Sequence, residues 1–241
     1  MAWAELKSSG ITSNTPENIM LGAGTIHKGL QNTGATYALT TDTDIVSGKT
    51  YYTRSGTSPN FTYEAVASPV KASLSTYYEM TSSGWNFEES LICATSGGTK
   101  VSITPELYDV PVDGALVKVM GLTVKVGETA KVETNLVELS NDILKMVATA
   151  EEKSSSSITG WKELVSKRQI KTGDYIENFG YIGHKLTGEP IVIIFDYALC
   201  TSGMEVEGKN KEAGVFPATF ECFAELSPEA DILPYHIFTP V

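Results

Sequence analysis

The sequence predicts a mainly β protein: a β-sandwich or barrel with one short packed α-helix and a small inserted β module. Three observations predict it. Apolar and polar residues alternate with period two in segment after segment, the pattern of sheets with one buried and one wetted face. The chain is rich in Thr, Ser, Gly, Val and Tyr, which favour strands and turns. Only one stretch, 139–153, carries a helical period instead.

The elements follow in order. In "ITSNTPENIMLGAGTIHKGL", 11–30, Pro16 sits in a polar turn before an apolar run that contains Gly22 and Gly24. Two glycines inside the run disfavour a helix, so it reads as an extended arm or first strand. Composition changes after Gly34, and 35–84 is crowded with Thr, Ser and Tyr. Within it "SGKTYYTRSG" at 47–56 is echoed by "SLSTYYEMTSSG" at 73–84, each a Tyr-Tyr strand end followed by a Ser/Gly turn. The expectation is a discrete β module inserted into a core domain made of 1–34 and 85–241. Regular strands then resume. Val101 and Ile103 alternate with polar neighbours, as do Ala130, Val132, Thr134 and Leu136, and again Phe216, Ala218, Phe220, Cys222 and Ala224. Between them, Leu139, Ile143, Val147 and Ala150 share one helical face, with Ser140 or Asn141 placed to cap its start. A helix over about 140–152 is expected, and "SSSS" at 154–157 reads as a flexible joint after it.

Bulk properties narrow the function. A chain of 241 residues can bury a sizeable core. Its formal charge of −11 and pI near 4.8 repel phosphate, which removes the attraction behind non-specific nucleic-acid binding. A surface that DNA slides past without sticking would suit this sign. The start "MAWAELKSSG" lacks a basic region followed by an apolar one, so no secretory leader is expected. The run "IVIIFDYALC" is short and interrupted by Asp196, so no membrane anchor is expected. Cys93, Cys200 and Cys222 are far apart with no CxxC pair, and read as small core residues rather than disulfide or zinc positions.

Motifs with possible chemistry fare poorly. Gly97-Gly98-Thr99-Lys100 lacks the upstream Gly of a phosphate loop and precedes a strand instead of a helix, so a tight turn into that strand is expected. "DTDIVSG" at 42–48 is a weak match to a calcium loop, since Val46 and Thr53 stand where oxygen ligands belong. His27, His184 and His236 are scattered, no Ser stands in a Gly-x-Ser-x-Gly elbow, and Asn60-Phe61-Thr62 matches a glycosylation acceptor only in letters. No nucleophile, base and orienting group can be named together, so no catalytic residue, metal site or cofactor is expected.

The block "ATSGGTKVSITPELYDVPVDGALVKVMGLTVKVGETAKVETNLVELSNDILKMV", 94–147, resembles the major tail tube proteins of long-tailed, siphovirus-type bacteriophages. The likeness lies in a Gly-rich turn, a strand, the acidic turn Val112-Asp113-Gly114, and strands ending in a Leu-rich helix. "TPENIMLGAGTIHKGL" is similar to that family's arm and first strand. "GYIGHKLTGEPIVIIFDYALC" and "EAGVFPATFECFAEL" are similar to its closing strands. The segment 35–84 departs from the pattern and looks like an insertion on the exterior.

The resemblance implies a structural virion protein without enzymatic activity. Its subunits would form stacked, hexameric rings whose sheets join into a barrel around a DNA conduit. Partners would be other copies of the chain and tail proteins such as tape measure, tail terminator and distal tail proteins, with DNA as non-sticking cargo. The location would be the virion tail, after synthesis in the host cytoplasm. Asp109, Asp113, Glu128, Glu133, Glu221 and Glu225 are the candidate lumen-facing acids, and Ile11, Pro16, Ile19 and Met20 the candidate ring-stacking arm. Two other readings are weighed beside it. One is a tube protein of a contractile tail or type VI secretion-like apparatus, whose subunits are usually shorter. The other is a carbohydrate-binding or adhesive β-sandwich, for which the aromatic insert would supply stacking surfaces.

Overall fold

The computed structural model describes residues 19–57, 60–113, 117–206, 214–226 and 232–240. Its strands are β1 (Met20–His27), β2 (Thr36–Leu39), β3 (Tyr52–Thr57), β4 (Asn60–Ala65), β5 (Tyr78–Ser82), β6 (Thr95–Asp109) and β7 (Thr123–Leu136). They continue as β8 (Ala150–Glu152), β9 (Leu164–Ser166), β10 (Ile176–Lys185), β11 (Pro190–Cys200), β12 (Phe216–Cys222) and β13 (Tyr235–Phe238). Among the described residues helix is confined to α1 (Phe87–Ser90), α2 (Asn141–Val147) and two 3₁₀ turns at Lys71–Thr76 and Thr172–Asp174. The protein is mainly β, as expected.

The described residues form two compact units, one of Leu30–Glu89 and one of those on either side of it. In the larger unit one antiparallel sheet runs β1-β10-β11-β12-β7-β6. Strand β11 shares its second edge between two partners, β13 along Val192–Phe195 and β12 along Ala198–Cys200. The ends of the path approach each other. Residues 90–94 leave a β-bridge between Leu91 and His27 on β1, and Ile92 N–H donates to the Ile26 carbonyl. The chain then enters β6, where Thr95 pairs with Leu136 of β7. A sheet bent back on itself in this way is a barrel-type architecture.

The alternating segments are what line its interior. Ala130, Val132, Thr134 and Leu136 are buried on β7, and Ala218, Phe220 and Cys222 on β12. Their odd-numbered neighbours on β7, Lys131, Glu133 and Asn135, turn to the other face. Phe179 anchors the centre, its ring 4.6 Å from that of Phe220 and 6.1 Å from that of Phe195. All three cysteines are free and buried. Helix α2 inserts Ile143 and Val147 into the same cluster, and Ser140 Oγ caps it by accepting from Ile143 N–H at 3.2 Å.

Three local expectations need correction. Helix α2 ends at Val147, because Thr149 takes a positive φ of 48° and Ala150–Glu152 leaves the helix as strand β8. Ala150 is buried as the helical period required, but from a strand. The serines at 154–157 are the loop of the β8–β9 hairpin rather than a free joint: Lys153 pairs with Glu163 across its base, and Ser157 donates to Glu163 through both N–H and Oγ. Gly97 and Gly98 are no turn. They form a bulge inside β6, where pairing skips between Thr95 and Thr99, and their φ values of 75° and 90° are left-handed positions that glycine accepts without strain.

The smaller unit is a sheet ordered β2-β5-β3-β4. The Tyr-Tyr echo has a structural meaning here. Tyr51 and Tyr77, the first tyrosine of each pair, are buried together with Leu74 on one side of the sheet. Tyr52 and Tyr78, the second of each pair, lie opposite one another on adjacent strands. The unit is wider than the compositional boundary 35–84, since Leu30 is buried and Asn32 makes a β-bridge with Trp85. In the calcium-like stretch, Asp42 accepts from Lys49 Nζ at 2.7 Å and from Tyr51 OH at 2.7 Å, and Lys49 also pairs with Glu79 at 2.8 Å. An internal ammonium neutralises these carboxylates.

Candidate assembly surface

A large exposed apolar surface of the larger unit lies on β6, β7 and the described residues 110–113 and 117–122 between them. Near the sheet these strands are half-buried, because they pack over the core. Beyond the pair Glu106↔Gly127 the register slips, and the two strands continue from Leu107↔Lys125 to Asp109↔Thr123 as a projecting arm. Its apolar side chains have no core to cover. Leu107 is 60% exposed, Val126 58%, Val117 76% and Met120 100%. Tyr108, Val110, Val119 and Val124 are exposed as well. Alternation along β7 continues at Val124 and Val126, past the point where the described residues of this chain bury it. Strand β6 is also the end of the hydrogen-bonded path, with β7 its one ladder partner among the described residues; the β1 side approaches it near the barrel, and its arm end, 107–109, runs on past the register slip.

The six candidate acids are not gathered on one surface. Asp109 lies on the arm, where Lys118 at 2.6 Å and Thr123 at 2.6 Å hold its carboxyl below the usual range. Asp113 is exposed further along it. Glu133 lies on the polar face between Lys131 at 2.8 Å and Lys100 at 3.0 Å, which together depress its pKa. Glu221 shares that face, directly opposite Lys131. Glu128 does not: it has the parity of the core residues Ala130 and Val132, and is held by Lys125 at 2.8 Å and Tyr235 OH at 3.3 Å. Glu225 follows β12 and is exposed beside a shallow depression with Glu177, Asp196 and Tyr197. Only Glu133 and Glu221 therefore form a pair on one face, and lysines interleave with them.

Of the arm candidates, Ile11 and Pro16 lie outside the described residues. Ile19 and Met20 are 41% and 47% exposed at the start of β1. Among the described residues no group of three or more His, Cys, Asp or Glu side chains is placed to hold a metal ion, and no helix is long and apolar enough to cross a membrane. His27 is buried, with Thr25 Oγ1 2.8 Å from Nε2 and Ser90 Oγ 2.9 Å from Nδ1. His236 Nε2 lies 3.3 Å from Asp196.

The reach of the β6–β7 arm was missed at the sequence level. A signal existed in "VKVMGLTVKV", 117–126, where Leu122, Val124 and Val126 carry the apolar phase of β7 beyond its core residues. Period two marks which side of a strand is apolar, not whether the same chain covers it. No protein-family model matches the chain, and comparison with curated proteins gives no significant match.

Proposed function

We propose that this chain is the repeating structural subunit of a phage tail tube, assembling with copies of itself into stacked rings around a conduit for DNA. The observation that carries the proposal is the projecting β6–β7 arm, with Leu107, Val117, Met120 and Val126 exposed on the strand pair that ends the sheet path. In a lone subunit such an arm and edge invite uncontrolled pairing. In a closed ring each edge meets a neighbour, and a contact between unlike surfaces closes by rotation or stacks along an axis. The resemblance of residues 94–147 to tail tube proteins supports the same reading, because this block contains the whole arm. The net charge of −11 suits a conduit that must not retain DNA.

The test is electron microscopy and sedimentation of the purified protein. Rings or tubes of uniform diameter are expected. The double variant Leu107→Ser, Val126→Ser should stay folded, because both side chains already face solvent, while assembly falls away. Removing residues 1–14 should leave a folded subunit that forms shorter tubes. A wild-type protein that stays monomeric at every concentration would overturn the proposal.

A further inference from the structure

The outward face of the smaller sheet is built from aromatic rings. Cross-strand pairs share a face, and the register places Tyr52 beside Tyr78, Arg54 beside Tyr63, and Phe61 beside Gly56, with Tyr37 one strand away. The rings contact one another. Tyr37 and Tyr63 stack at 4.0 Å and 9°, Tyr52 meets Tyr37 edge-on at 5.1 Å, and Tyr78 meets Tyr63 edge-on at 5.4 Å. All remain partly exposed. The opposite side of this sheet is closed by Tyr51, Leu74 and Tyr77.

Two features say what would cover the face. The first is its hydrogen-bonding state. The inward tyrosines are satisfied within the unit, Tyr51 by Asp42 and Val46, and Tyr77 by Val70. No hydrogen bond among the described residues engages the hydroxyls of Tyr37, Tyr52, Tyr63 or Tyr78. Each thus presents a ring and an uncommitted hydroxyl, which suits a ligand that is apolar on one side and hydroxylated around its rim. The second is charge. Arg54 lies over the rings of Phe61 at 4.3 Å and Tyr78 at 4.7 Å, and makes no ion pair among the described residues. The paired positions of this face contain no Asp or Glu, on a chain whose net charge is −11. An isolated guanidinium on an aromatic floor is a site for one carboxylate, held by two parallel hydrogen bonds. A polyphosphate chain would meet a single cation in a repulsive field, which argues against nucleic acid.

We infer that this face binds an acidic oligosaccharide, its sugar rings packed against the exposed sides and hydroxyls of the tyrosine cluster and one uronate-type carboxylate on Arg54. Contacts between neighbouring rings already restrict the side chains, so little rotamer freedom is lost on binding. The inference is independent of tube assembly, because none of these residues belongs to the arm.

The experiment is titration calorimetry on the full chain with oligogalacturonate and, separately, a neutral cello-oligosaccharide of equal length. Saturable binding of the acidic ligand, stronger than that of the neutral one, is expected. Arg54→Gln should remove that preference, and Tyr63→Ala should weaken binding by roughly tenfold. Tyr63→Phe keeps the ring and serves as the folded control should Tyr63→Ala unfold the unit; losing only the hydroxyl, it should weaken binding less. Three results overturn the inference: no saturable binding of either saccharide, equal binding by wild type and Arg54→Gln, or a sedimentation shift on Tyr63→Phe showing that the face joins two copies. Saturable binding of single-stranded DNA in place of the saccharides would also overturn it.

Discussion

At the scale of single residues, the tightest constraint in the larger unit is a glycine. Gly24 has a φ of 68°, and a Cβ placed there would come 2.3 Å from the Tyr181 ring. Tyr181 is 6% exposed and part of the core, so its ring has no room to withdraw. Left-handed strain and overpacking would act together in Gly24→Ala, and a loss of roughly 3 kcal/mol is expected. Chemical denaturation measures it. In a double-mutant cycle, Tyr181→Leu should recover part of the loss, because it removes the clash and leaves the backbone strain. Additive effects would show that the ring is not the obstacle. Gly22 and Gly24 could be read from the sequence as residues that disfavour a helix. That Gly24 faces a tyrosine from β10, more than 150 residues away, could not.

At the scale of elements, the loop of the β8–β9 hairpin is tied by one carboxylate. Glu163 accepts from Ser157 N–H, Ser157 Oγ and Lys153 Nζ, and these hold its pKa down to about 2 from an ordinary 4.5. A depressed folded-state pKa means that the stabilisation is present above pH 4.5 and is lost as pH falls toward 2. Exchange of the Ser157 amide, corrected for its intrinsic pH dependence, should therefore accelerate across that window. In Glu163→Gln it should already be fast at neutral pH. Unchanged protection in that variant would mean that backbone pairing of β8 with β9 suffices. The four serines at 154–157 look like a linker by composition. Glu163 lies six residues beyond Ser157, and nothing in the local pattern reveals that the chain doubles back to meet it.

At the scale of the whole molecule, the two units differ in how they are stabilised. The larger buries a continuous cluster from five strands and helix α2, whereas the smaller buries Tyr51, Leu74 and Tyr77 with Val66 packed beside them. A unit of about 60 residues with so small a core is marginal, and its ion pairs matter more. Asp42 and Glu79 are lowered, first by hydrogen bonds from Lys49, and Lys49 is raised by them. The carboxylate contribution is present above their ordinary values of 3.8 and 4.5 and vanishes as pH falls below them; the lysine contribution vanishes only as pH rises above 10.5. Calorimetry should resolve a weaker transition that shifts to lower temperature below about pH 4. Replacing Leu30–Glu89 with a short Gly/Ser linker should remove that transition and keep the other, since Lys28 N–H donates to the Ser90 carbonyl at 2.8 Å where the ends meet. Loss of the remaining transition would show that the larger unit depends on the smaller one.

The sequence by itself determined the mainly β class, the inward faces of β7 and β12, and the place of helix α2 with its cap narrowed to Ser140 or Asn141. Each follows from contacts within a few residues: strand period, helix period, capping and turn chemistry. Tertiary structure alone decided that Val147 ends the helix, that Gly97 and Gly98 bulge instead of turning, and that Glu128 belongs to the core-facing side while Glu133 does not. It also decided that valines of equal periodicity are buried at Val132 and bare at Val126. A strand's pattern states which side is apolar, and only the arrangement of its distant neighbours supplies, or fails to supply, something to cover it.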